Sequence, residues 1–369
     1  MTNSVVPMAK PPTASATVAQ ATRRADRGAG SGLVRVTEAV WVTPGPRPAT
    51  PRGIPPSGVA RPTGGPLTPL RVLSRLGSML RRTHWLRHLG SLDPETDYEE
   101  IYRVTVTHEF PWDMSQALSF ALFRTYAVPS IGRLLDQTGE FAQRPQKRYD
   151  DTVLLLDAIS LDGLHSEGGR RAVRRINQMH GSYDISNDDM RYVLATFVVV
   201  PKRWMDDYGW RPFTGTEVEA SARYYQELGR LMGIKEVPET YDAFARLMDA
   251  YEAEHFGYDE GGRRVADSTL ALMRTFYPRV ASWPVDVFSR ALMDEPLLRA
   301  FGYRAPPALV VRAARAALRA RARIERLLPA RRTPLHAHDL PRIRSYPDGY
   351  DVEALGTFPR GCPVSPTRI

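Results

Sequence analysis

The chain is nearly devoid of thiols: Cys362 is the only cysteine among 369 residues. That excludes an intrachain disulfide and any structural metal site built from two or more thiolates. Long apolar runs are missing too. The longest clusters, around Val153–Leu156 and Val193–Val200, fall well short of the roughly 18 uncharged apolar residues a membrane-spanning helix needs. No basic start leads into an apolar stretch, and Arg23-Arg24 lacks the apolar segment of a twin-arginine signal, so the expected location is the cytoplasm. Zinc-finger spacing and an aromatic-rich basic sheet motif are absent, which leaves no specific nucleic acid as partner. There is no Gly-x-Ser-x-Gly nucleophile turn. Gly28-Ala29-Gly30-Ser31-Gly32 follows no predicted strand, so it is not a nucleotide loop.

Apolar residues make up 43% and charged residues 25%, which suffices for a sizeable core. The net charge of +9 is unevenly spread, with +11 on residues 1–92 and +8 on 304–349, leaving −10 elsewhere. Residues 1–70 hold 12 of the 31 prolines. Stretches such as Pro55-Pro56-Ser57-Gly58 neither propagate a helix nor bury apolar surface, so a disordered Pro/Arg-rich tail is expected there, with Val34–Trp41 docking locally. Such a basic tail is read as solubilising, although it would also suit an anionic surface.

Helical periodicity begins near Leu70. It predicts helices over 97–107, 114–128, 130–138, 149–159, 168–180, 187–200, 216–232, 241–255, 266–277, 284–293 and 307–328. Ser186 is placed to cap the helix at Asn187, with Asp189 at the capping-box position and Pro201 as its stop. Gly181 stands where the C-cap of the helix ending at His180 belongs. Alternating strand patterns are scarce. The expected fold is mainly α: one helical domain over 71–360 and a short tail over 361–369.

Three groups of residues draw the eye as chemistry. His180 shares a helix face with Val173 and Ile176, so its imidazole is aimed at something buried. A neutral imidazole ligates haem iron well, and it serves equally as a hydrogen-bonded core residue. Arg148 and Thr152 lie four apart on the preceding helix, at the head of a stripe continued by Leu155, Leu156 and Ile159. Glu252 and His255 have the Glu-x-x-His spacing of di-iron carboxylate helices, and Asp162–His165 has a weaker version in a turn. His108 and the pair His336/His338 are further candidate ligands. Asn187, Asp188 and Asp189 suit a helix start.

The segment Glu109-Phe110-Pro111-Trp112-Asp113-Met114 runs on through Phe123-Arg124-Thr125-Tyr126 to Thr138-Gly139-Glu140-Phe141. With Arg148-Tyr149-Asp150-Asp151-Thr152, Asn177-Gln178-Met179-His180 and Asn187-Asp188-Asp189-Met190…Pro201-Lys202-Arg203-Trp204, it resembles the catalytic domain of the MpaB and rubber oxygenase family over roughly 95–357. The resemblance implies a helical fold, haem b held by His180 as iron ligand, Arg148 and Thr152 in the haem pocket, and dioxygen as co-substrate. It also implies an apolar, isoprenoid-like alkene as substrate. With a single cysteine, such a haem is bound non-covalently. Where rubber oxygenases carry a lysine directly before the threonine, this sequence has Asp151, which favours the MpaB-like branch. His108 is the second choice as ligand. The competing readings are a di-iron or peroxidase-like oxidoreductase and a non-catalytic helical binding protein. Phe358-Pro359-Arg360-Gly361-Cys362 fails the pattern of a thiolate-ligated haem loop, because the required glycine and phenylalanine positions hold Phe358 and Leu355.

Overall fold

Fourteen α-helices are found among the described residues, six of them opened by a side-chain cap. The computed structural model describes residues 80–278 and 282–358; the predicted tails, Val34–Trp41 and Cys362 lie outside them. In chain order the helices are α1 His84–Leu89, α2 Tyr98–Val104, α3 Pro111–Thr125, α4 Pro129–Gln137, α5 Glu140–Gln143, α6 Pro145–Asp162 and α7 Glu167–His180. They continue as α8 Asn187–Tyr208, α9 Gly215–Leu231, α10 Tyr241–His255, α11 Glu260–Arg274, α12 Ser282–Leu292, α13 Glu295–Ala300 and α14 Ala308–Leu327. Among the described residues there is no strand, as the scarcity of alternating patterns predicts. No described helix is long and apolar enough to cross a membrane.

Side-chain caps and first-turn prolines together account for nine of these starts. Ser166 accepts a hydrogen bond from the Gly169 N–H at 2.9 Å, and Ser186 one from Asp189 N–H at 3.0 Å. Asp259 takes two, from Gly261 and Gly262. Thr214 and Glu217 form a complete capping box at α9, each satisfying an orphan donor of the other's backbone. Proline at the first position opens α3, α4 and α6, where its missing N–H costs nothing.

Helix α8 runs through the core and packs against α3 and α10. Tyr192, Ala195, Thr196, Val198 and Val199 on it are almost wholly enclosed. This burial overrides the expected stop at Pro201: the helix continues through the proline to Tyr208. The lost hydrogen bond and ring clash there cost about 3 kcal/mol, less than the packing of Pro201, Trp204, Met205 and Tyr208 returns. Gly181 is the C-cap of α7, as expected, in right-handed conformation (φ −65°). One further detail departs from expectation. Asp189 does not close a capping box with Ser186; its carboxylate accepts instead from Ser130 and Tyr251, both at 2.9 Å.

Between α2 and α3 the chain widens into a π-turn, Thr105–Glu109. Such turns sit in helices at an energetic cost and often mark special local demands. Here the turn buries Thr105, Thr107, His108 and Glu109 together. Helices α6 and α7 form an antiparallel pair joined by 163–166, and the segment after α14 lies along both.

Candidate active site

Simple arithmetic places the three expected residues at one end of the α6–α7 pair. From Thr152 to the end of α6 the chain climbs roughly 15 Å, and α7 returns roughly 20 Å to His180 at 1.5 Å per residue. His180 therefore comes back level with the first turns of α6, where Arg148 and Thr152 sit. The electrostatics agree. The His180 imidazole is pushed down to about 4, first by burial and then by the positive charge of Arg148.

His180 holds the last position of α7, below the buried stripe Ala172, Val173, Ile176 and Met179. Its ring is partly accessible, yet Nδ1 is buried without a hydrogen-bond partner. An orphaned buried nitrogen costs of order 1–3 kcal/mol and calls for an explanation. At neutral pH this imidazole is uncharged, with a lone pair to give.

Arg148 donates from Nη1 to the Thr152 hydroxyl, and Thr152 in turn donates to the Arg148 carbonyl at 3.0 Å. The Arg148 guanidinium also lies over the Phe141 ring, 5.7 Å from its centroid, and its charge reaches the buried Tyr126 hydroxyl. Among the described residues no carboxylate pairs with Arg148. Among these residues Arg148 is therefore not ion-paired, and it stands as a partly buried cation within electrostatic reach of a neutral imidazole. That set fits haem: an imidazole for iron, and a planar fork of donors for a propionate.

Asp151, at the position of the rubber oxygenase lysine, is turned away from this group. Its buried carboxylate pairs with Lys147 at 2.7 Å and accepts from the Tyr346 hydroxyl. Burial, and then the bond to this carboxylate, raise the Tyr346 phenol well above its ordinary range. The neighbouring Asp150 accepts from the N–H groups of Arg344 and Ser345, and Asp157 from those of Ala337 and His338. Three aspartates of α6 thus fasten the segment 337–346 along the helix. The i,i+4 spacing of Lys147 and Asp151 hinted at their pairing; nothing local pointed to Tyr346 as the third member. Gly356 closes the strap against α7, with φ +98° and the Met179 sulfur 2.9 Å from where a Cβ would stand. The outer face of α7 is different again: Arg171, Arg174, Arg175, Gln178 and Glu353 line a surface notch of about 230 Å³.

The rival ligands are held by other contacts, except that the Nδ1 of His336, like that of His180, is buried without a hydrogen-bond partner. His108 lies on the π-turn, its Nδ1 2.8 Å from the Thr107 hydroxyl and its ring 4.2 Å from Trp85. Burial and the charges of Arg103, His336 and Arg331 push it down to about 4. Glu252 is clamped by Arg124 and accepts from Tyr192 at 3.1 Å, while His255 stacks on Tyr251. Asp162 is exposed, and His165 faces Glu227 at 3.2 Å. His338 bonds Asp157 at 2.9 Å with His336 stacked beside it. Among the described residues no three His, Cys, Asp or Glu side chains converge as a metal-holding group. Asn187 and Asp189 are architectural, Asn187 holding the Lys235 backbone from both sides.

These features define a protein, helical among the described residues, whose half-buried, uncharged His180 lies within electrostatic reach of Arg148, an arginine without a carboxylate partner among them, at one end of a helix pair. Residues 106–323 match the family described as "ER-bound oxygenase mpaB/B'/Rubber oxygenase, catalytic domain", and the chain belongs to that family. It is 30% identical over 254 residues to the ER-bound oxygenase mpaB' of Penicillium brevicompactum, covering 63% of this chain and 59% of that protein. To the ER-bound oxygenase mpaB of Penicillium roqueforti (strain FM164) it is 31% identical over 235 residues, covering 58% of this chain and 78% of the relative. The mpaB of P. brevicompactum is 30% identical over 220 residues, 54% of this chain and 55% of the relative. The chain thus spans little more than half the length of two of these relatives. The family is one of oxygenases.

Proposed function

We propose that this chain is a haem b-dependent oxygenase that uses dioxygen on an apolar, isoprenoid-like alkene, cleaving or oxygenating the double bond, in the cytoplasm. The observation that carries the reading is the orphaned His180 Nδ1 lying within electrostatic reach of the Arg148 guanidinium, which has no carboxylate partner among the described residues. His180 would ligate the iron through its neutral ring, and Arg148 would hold a propionate with Thr152 fixing its fork. When bound, haem supplies the oxygen chemistry. The protein keeps the imidazole deprotonated, places a counter-charge for the cofactor's carboxylates and surrounds the site with apolar side chains. Leu154, Leu155, Val173 and Ile176 are among the buried residues of the helices concerned, an environment that favours an apolar guest over a charged one. Asp151, held by Lys147 and Tyr346, offers no amine to the iron, which supports a small soluble substrate over a rubber polymer.

The test is an absorption spectrum with haem analysis of the purified chain, followed by turnover of prenylated compounds under labelled dioxygen. About one haem per chain is expected for one axial histidine, lost in His180→Ala, with label in carbonyl products. Full occupancy in His180→Ala would move the ligand to another histidine. Efficient peroxide turnover with every alkene left intact would replace the oxygenase by a peroxidase-like activity, and a chain that takes up no haem would be a binding protein on the same fold.

A further inference from the structure

The outward face of α14 carries more exposed apolar surface than any solvated helix needs. Leu309, Ala313, Ala316, Ala320, Ile324 and Leu327 recur at helical spacing and are all exposed, Leu309 by 72% and Leu327 by 84%. Along one flank of this strip stand Arg312, Arg319, Arg323 and Arg326, also exposed. None of the four pairs with a carboxylate among the described residues. The helix's one acidic residue, Glu325, is turned inward to Arg82 and Arg321. The opposite face, Ala314, Leu318 and Ala322, is buried in the body against α8 and α12.

We infer that this face of α14 is a docking surface for an anionic lipid bilayer. The charge is of one sign, so the partner must be negative. A second copy of the chain brings the same arginine rail and adds like charge. A partner groove receives the apolar face of a helix between two walls, and α14 is already seated on α8 and α12 with its inner half packed. A flat surface needs only the outer half. A helix with an apolar strip and an arginine edge lies in a membrane interface with its leucines at the acyl boundary and its guanidiniums among the headgroups. Anionic lipid is concentrated on cytoplasmic leaflets, which then supply the counter-charge. This inference stands apart from the proposed haem chemistry and holds or fails without it.

The test is co-sedimentation of the full chain with vesicles of phosphatidylcholine alone and with added phosphatidylserine. Binding is expected only to the anionic vesicles and to weaken with salt. Loss of one rail arginine should weaken partition about fivefold, and reversing Arg312, Arg323 and Arg326 to Glu about a hundredfold. Leu309→Ser with Leu327→Ser should weaken it about tenfold or more. The substituted side chains are all solvent-exposed, so the fold is retained, and unchanged far-UV and thermal profiles would verify this. As a second readout, Leu327→Trp should be quenched by brominated lipid. The basic residues 1–92 can attract vesicles by charge alone, without regard to Leu309 or Leu327. Binding indifferent to the α14 substitutions, or no binding to anionic vesicles at low salt, would overturn the inference. So would a change in self-association on those substitutions with vesicle partition unaltered.

Discussion

At the scale of single residues, His180 and Arg148 make a coupled pair whose behaviour can be measured without any cofactor. Arg148 contributes to holding the His180 imidazole at about 4, against an ordinary 6.5. Arg148→Ala removes that cation, so the histidine should titrate at higher pH, an upward shift visible by NMR of the haem-free chain. An unmoved titration would place the guanidinium elsewhere. The sign for stability also follows. Between pH 6.5 and about 4 the unfolded chain binds protons at His180 and His108 that the folded chain refuses. Stability is therefore fully present above 6.5 and falls as the pH drops through that window. His108→Gln should flatten this acid limb in haem-free protein, as followed by denaturant melts across the range; an unchanged limb would mean that His108 is not buried neutral. Arg148, Thr152 and His180 were legible because a helix pair turns a sequence spacing into a shared level. The destination of Asp151 was not, since Tyr346 is 195 residues away and no local pattern connects them.

At the scale of elements, the periodicity of apolar residues located the long helices and missed the short ones. α1, α5 and α13 have between four and six residues, too few to display a period. The continuation of α8 past Pro201 was invisible for another reason: the proline's penalty is local, whereas the burial that outweighs it belongs to three helices at once. Glycine follows the same division. Where α4 crosses α11, a Cβ on Gly132 would lie 2.5 Å from the Tyr126 carbonyl and 2.7 Å from the Gly262 backbone. A Cβ on Gly262 would lie 2.4 Å from that same carbonyl. These contacts are with backbone, which cannot rotate aside. Gly132→Ala or Gly262→Ala should therefore destabilise by about 3 kcal/mol or more, above the usual range for overpacking. Gly215, the first residue of α9, has nothing within 4 Å of its would-be Cβ. Gly215→Ala should be neutral or stabilise by up to about 1 kcal/mol. Thermal melts of the three variants compare these directly, and a Gly132→Ala protein as stable as Gly215→Ala would contradict the close crossing.

At the scale of the whole molecule, the Glu109-to-Asp113 motif serves to join distant parts of the chain. Glu109 is wholly buried and bonded by Arg211, which also holds Glu217. Asp113, equally buried, takes two hydrogen bonds from Arg321 at 2.9 and 3.0 Å and one from the Trp204 indole at 3.0 Å. Arg321 stacks 3.8 Å over Trp112 and reaches Glu325, whose other partner is Arg82. Ions from the π-turn, the loop before α9 and α9 thus form one cluster, and those from α3, α14 and the chain ahead of α1 a second, with the charge of Arg82 also acting on Glu109. Burial raises the carboxyls of Glu109, Asp113 and Glu325 despite their arginines. Desolvation is therefore a large part of the account, and the network is worth less in stability than its count of bonds suggests. The consequence is asymmetric. Asp113→Ala leaves the Arg321 charge without one of its two counter-ions and an indole donor unmatched, and should cost about 3–5 kcal/mol in denaturant unfolding. Asp113→Leu combined with Arg321→Met removes both ions together, and should recover most of that loss. If the double variant is as unstable as Asp113→Ala, the attraction exceeds the desolvation cost and the network is a net source of stability. If Asp113→Ala costs nothing, water reaches the site and the cluster is not closed.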